Sequence, residues 1–292
     1  MPLRYAALLT GVFACSISVI FIKATPTHPV VLAALRLLVA VALLAPVYFR
    51  ETRRHREAFT RSHLRRTTLP AIVLAGHFIS WTYGARLTFA AQASLIVNLV
   101  PAVIPFFLHA VVGERINRSE ILGTVIALVG VAVLTAHDAF AHTGDTWGNL
   151  VCFGSMLLFA WYLALGRRNR DFPSIWLYVV PVYLQAGIIC LLVALPWLDA
   201  FLPGSLREWF FILALAVVPT IFGHSLLNLS LRYLRGQIVS LCNVGQFIFA
   251  GVIAFLLFGE SPSAVFYGAS AIVVAGIAVV VFAAPSTPPR LR

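Results

Sequence analysis

In a chain of 292 residues, 61% are apolar and only 11% are charged. A soluble domain carries about a quarter charged residues, so this sequence lacks the material for a water-facing shell and fits a lipid-embedded chain instead. The net charge of +11 raises nucleic acid as a partner, but the basic residues sit in short loops between apolar runs, with no basic groove interleaved with aromatics, which excludes it.

Ten apolar segments are predicted in chain order, each near the roughly 20 residues a helix needs to cross the hydrocarbon. They run over 5–23, 29–49, 68–89, 91–112, 119–136, 147–166, 174–197, 207–231, 236–258 and 262–284. Arg4 before the first resembles a signal-peptide start, but no convincing small-residue cleavage site follows, and Lys23-Ala24-Thr25-Pro26 reads as a helix end, so a retained span is expected. The second segment carries Arg36, a fixed charge well inside a span, close enough to the outer end to snorkel and fork-shaped for a carboxylate or phosphate. The third carries His77 and Trp81 on one helical face; the fourth carries Asn98 with Pro101 and Pro105. Gly123, Ala127 and Gly130 in the fifth suit close helix packing. Trp161 and Tyr162 lie in the sixth, Tyr178, Tyr183 and Gln185 in the seventh. The eighth repeats the third's spacing with His224 and Asn228, and the ninth adds Asn243, Gln246 and Phe247. Cys15, Cys152, Cys190 and Cys242 all fall in apolar runs without metal-ligand spacing and read as packing residues.

With the N-terminus inside, seventeen basic residues fall on the inner side, three (Lys23, Arg86, Arg207) outside, and Arg36 within a span. That asymmetry predicts cytoplasmic N- and C-termini in a bacterial-type inner (plasma) membrane. At an offset of 146, Arg86 falls on Arg232, Ser94-Leu95 on Ser240-Leu241, Gly113-Glu114 on Gly259-Glu260, and Gly130 on Gly276. A five-span unit repeated once must be inverted, because an odd number of crossings flips the second copy. The expected fold is therefore all-α integral membrane, ten transmembrane helices as two inverted five-helix repeats, 1–141 and 142–292. The Gly-Glu pairs are expected at helix ends, each glutamate in contact with water.

The run Gly113-Glu114-Arg115-Ile116-Asn117-Arg118-Ser119-Glu120-Ile121-Leu122-Gly123, on to Gly130-Val131, resembles the EamA-type repeat of the drug/metabolite transporter superfamily. So do Ala93-Ser94-Leu95 with Pro101, Gly259-Glu260 through Gly268 and Gly276, Phe159-Ala160-Trp161, and Arg36-Leu37-Leu38. The resemblance spans essentially the whole chain and implies a secondary transporter working by alternating access. Within that family the overall layout is nearest to the YddG-type amino-acid exporters, which implies export of amino acids, aromatic ones included; a carrier for another anionic or sugar-type metabolite is the alternative.

A polar side chain in lipid is costly and should face protein or water. The expected solute site is a midplane cavity lined by His77, Trp81, Asn98, Trp161, His224, Asn228, Asn243 and Arg36, although any single amide or histidine there also serves as interhelical glue. All ten acidic residues fall in loops or at span ends, so proton coupling would rest on histidines such as His77, His224 and His109. No cofactor, metal or enzymatic activity is expected; partners are a small solute and the bilayer, and the assembly a monomer or weak homodimer. Two other classes stay open. An integral membrane enzyme would need the outer-loop cluster His137, Asp138, His142 and Asp145, whose spacing matches no defensible motif. A structural membrane protein would not need the inverted repeat.

Overall fold

The computed structural model describes residues 2–88, 90–139, 146–197, 202–249, 252–253 and 263–283. Every regular element among them is helical. The first half of the described chain runs α1 (Pro2–Ser16), α2 (Ser18–Ala24), α3 (Pro29–Arg54), α4 (Arg61–Arg66), α5 (Thr68–Leu87), α6 (Ala90–Val97), α7 (Val100–Val112) and α8 (Arg118–Ala139). The second runs α9 (Thr146–Arg168), α10 (Ile175–Ala194), α11 (Leu206–Leu215), a π-helical segment (Ala216–His224), α12 (Ser225–Tyr233), α13 (Gly236–Val244) and α14 (Ala264–Phe282). Among the described residues, six helices are long and apolar enough to cross a membrane: Leu3–Ala24, Pro29–Arg54, Thr146–Arg168, Ile175–Ala194, Leu206–Tyr233 and Ala264–Phe282. Val100–Val112 and Gly236–Phe249 are shorter apolar helices.

Local chemistry sets the boundaries. Pro29 opens α3, where its missing N–H is no loss. A reciprocal cap starts α8: the Glu120 N–H donates to Asn117 Oδ1 and the Asn117 N–H to Glu120 Oε2, both at 2.9 Å. Gly113, at φ +67°, ends α7 in the left-handed conformation that a side chain resists. Prolines interrupt two spans. Pro101 cannot donate to the Val97 carbonyl, and a turn at Asn98-Leu99 divides the fourth span into α6 and α7. Pro219 leaves the Leu215 carbonyl without its N–H partner; the Thr220 hydroxyl donates to that oxygen at 2.8 Å, and the backbone widens into the π segment.

Four packing pairs build the core: α5 on α9, α1 on the π segment and α12, α3 on α10, and α8 on α14. The last is the tightest. A Cβ on Gly276 would lie 2.5 Å from the Gly123 carbonyl oxygen and 2.7 Å from the Ala127 nitrogen. The small stripe of the fifth span therefore lets two backbones touch.

Candidate functional site

Trp81 on α5 is buried, its indole N–H pointing to Ser18 Oγ at 3.5 Å. It borders a small, partly open cavity of about 20 Å³, together with Cys15 and Ser16 from α1, Ser94 and Val97 from α6, Asn98, and Gln246 and Phe247 beyond α13. That volume suits a single water and is far too small for an organic metabolite. Asn98 is buried with its Oδ1 unpartnered, and the turn before Pro101 is what places it at the cavity wall.

A second layer is aromatic. His77 from α5 and His224 from the π segment approach with ring centroids 6.0 Å apart. His77 stacks on Phe159 at 4.8 Å, and His224 lies 4.9 Å from Phe78, 5.5 Å from Phe159 and 6.1 Å from Tyr162. Nδ1 of His77 lies 3.0 Å from the Ser155 carbonyl and 2.9 Å from its hydroxyl. A carbonyl only accepts, so that first contact needs the proton on Nδ1 and leaves Nε2 as an acceptor. His224 Nδ1 has no partner. Asn228, one turn on, donates to the Tyr162 hydroxyl at 2.7 Å and to the His224 carbonyl at 2.8 Å, leaving its Oδ1 unpaired.

Arg36 forms the third layer. It is 0% exposed, which removes the snorkelling alternative: the side chain turns into the bundle, not toward the interface. Its Nε and Nη2 donate to Thr220 Oγ1 at 3.1 and 2.9 Å, and its guanidinium covers the Phe78 ring at 4.4 Å. Tyr183 from α10 secures the same turn, its hydroxyl 3.2 Å from the Thr220 carbonyl and 3.0 Å from Ser225 Oγ.

The structure thus buries seven of the eight expected residues in its interior. Asn243 is buried with Oδ1 unpartnered. Trp161 is the outlier, half-buried and stacked on Phe107 at 6.3 Å. Thr220, Ser155 and Cys15 are not among the expected residues; Thr220 directly after an intraspan proline is the available signal. His142 and Asp145 lie outside the described residues, as do Gly259 and Glu260 and the side chains of His137 and Asp138.

At the face bearing the arginine-rich loops, Glu114 departs from expectation. It is 6% exposed, not bathed in water. Arg167, itself 0% exposed, donates to it at 3.0 Å and to the Leu231 carbonyl at 2.7 Å. Arg235 lies 3.8 Å from Glu114 and pairs closely with Glu120, while the Gly236 N–H donates to Glu114 Oε1 at 3.2 Å. Two arginines from separate segments neutralise the carboxylates, which makes their burial tolerable.

The family model for "EamA-like transporter family" matches the chain over residues 3–136 and again over 146–282. An "Uncharacterized transporter" of Archaeoglobus fulgidus is 25% identical over 201 residues, covering 68% of this chain and 70% of its own length. The "Pseudopaline exporter CntI" of Pseudomonas aeruginosa is 23% identical over 230 residues, 74% of this chain and 76% of that protein. A solved chain titled "Crystal structure of protein" shares the fold, with a TM-score of 0.75 at 19% identity, over 96% of this chain and 97% of that one.

Proposed function

This chain belongs to the EamA-like transporter family, and we propose that it is a secondary transporter that exports small organic metabolites, amino acids including aromatic ones foremost. As an integral membrane protein of that family it needs a solute site, a way to expose it to each side, and no catalytic step. The site is the region between His77, Trp81, Asn98, His224, Asn228, Asn243 and Arg36, with Trp161 at its margin. The observation that carries this reading is the approach of His77 and His224, from spans three and eight, to 6.0 Å in the interior. An inverted repeat puts those spans in equivalent roles around a midplane site.

Ten crossings in two inverted halves, 1–141 and 142–292, account for the packing. Span one lies on span eight as span six lies on span three, while spans two and seven, and five and ten, pair with each other. The helix ends mirror one another too. Lys23 donates to the Thr88 carbonyl and Arg86 to those of Ile22 and Thr25; at the opposite face Arg167 donates to Leu231 and Arg232 to Phe172. The family model's two separate matches, 3–136 and 146–282, support that reading. The 20 Å³ cavity takes most of its wall from the first half and Gln246 and Phe247 from the second, and in this reading the halves part to admit a solute. The Glu114–Arg167–Arg235–Glu120 cluster joins first half to second at the arginine-rich, cytoplasmic face and holds that side shut.

A named relative, the pseudopaline exporter, supports the direction of transport. The test is uptake of labelled phenylalanine, leucine and glutamine into proteoliposomes, wild type against His77→Ala and His224→Ala. Each variant is expected to transport at least severalfold more slowly at equal reconstitution. Unchanged uptake in both variants would remove the midplane site.

A further inference from the structure

The bundle interior holds a guanidinium with no counter-charge among the described residues. Arg36 is fully buried, makes no ion pair among the described residues, and spends two of its nitrogens on one neutral hydroxyl, that of Thr220. Its Nη1 is buried without any hydrogen-bond partner. An uncompensated buried charge destabilises a fold, and within a membrane such a residue pairs with something or marks a solute path.

We propose that Arg36 is the anchor for a carboxylate on the transported solute. This rests on the carrier reading above and names the chemistry its solute must carry. The guanidinium edge formed by Nη1 and Nη2 matches the two oxygens of a planar carboxylate. Nη1 is free, and Nη2 has only the Thr220 hydroxyl to give up. Arg36 belongs to span two and Thr220 to span eight, so their bond crosses between the proposed halves and must stretch when they part. In the closed molecule Thr220 is thus a placeholder for the carboxylate. The approach is short: Cys15 lines the cavity beside Trp81, and its thiol donates to the Pro219 carbonyl, the residue before Thr220, at 3.9 Å. For a solute to reach Arg36 under this proposal, the cavity must widen past Cys15. Its wall, with Trp81 and Phe247, suits an apolar body behind the carboxylate.

The experiment compares acids with their amides. Purified wild-type protein is screened by thermal shift and by proteoliposome uptake against phenylalanine, leucine and glutamine, their carboxamides, glucose, and inorganic phosphate. The acids are expected to bind and move at concentrations at least tenfold lower than the amides, with phosphate not competing. Arg36→Gln is expected to remove that preference, and Arg36→Lys, a charge without the fork, to restore part of it. If Arg36→Gln does not fold, the wild-type acid-to-amide ratio and Arg36→Lys decide. Equal handling of acid and amide, an intact preference in Arg36→Gln, competition by phosphate, or movement of glucose alone each overturns the carboxylate anchor and leaves the carrier reading standing. Movement of none of these solutes counts against both.

Discussion

In the proposed site, Trp81 is expected to offer the solute area, where Arg36 is expected to offer charge. An indole buries about 150–250 Å² against a partner, so Trp81→Ala is expected to slow transport of phenylalanine or leucine by about tenfold and of alanine or serine by no more than about twofold. Counterflow across that size series measures it; an equal loss for all solutes, or none, means that Trp81 only packs. The histidine pair is legible in the sequence because helical spacing and a fixed repeat offset put His77 and His224 at nearly matching positions. Thr220 is not, since its role depends on a hydrogen bond that Pro219 cannot make and on a backbone widened to suit. The burial of Glu114 is hidden for a related reason: a Gly-Glu turn and a loop arginine look like solvent-facing residues until distant segments fold over them.

At the scale of elements, two features decide whether the bundle holds together. Glu114→Gln strands Arg167 at 0% exposure, and losing one member of a buried pair costs about 3–5 kcal/mol. The melting temperature in detergent should therefore fall by several degrees, whereas Arg115→Gln on the exposed side of the same loop should change little. Gly276→Val forces a side chain against the Gly123 carbonyl, backbone that cannot yield, and should cost about 1–3 kcal/mol or more. A third element, the loop between α9 and α10, is pinned through Asp171, which Arg66 grips with both Nη atoms at 2.8 and 2.6 Å. Hydrogen bonding to Arg66 holds the Asp171 carboxyl below its ordinary value. Because the folded value is depressed, the stabilisation is present above the unfolded pKa of about 3.9 and is lost as pH falls through the folded one. The pair is solvent-exposed, so wild type should exceed Asp171→Asn by no more than about 1 kcal/mol at neutral pH, with the gap closing in acid melts. The boundaries of most helices are legible from hydropathy and turn residues; Pro101 and Pro219 are legible as well, but not that one divides its span at Asn98-Leu99 and the other widens its helix, because that depends on how each freed carbonyl is satisfied.

For the molecule as a whole, the account requires a fixed orientation and a moving interior. The four native cysteines are buried in this structure, but Cys15 lines the proposed solute path, so all four are replaced by alanine before single cysteines are introduced at Ser62 and Leu206. Ser62 should react with an impermeant thiol reagent only from the cytoplasm and Leu206, 89% exposed, only from outside; the reverse pattern inverts the topology. The central claim is that the two halves alternately expose one solute site. Counterflow tests it most directly: proteoliposomes loaded with unlabelled phenylalanine are diluted into tracer phenylalanine, with the labelled acid panel run in parallel. The account predicts a transient overshoot of tracer inside the liposomes for at least one acid, abolished by Arg36→Gln; tracer that only equilibrates, at the rate of protein-free liposomes, for every solute would contradict it.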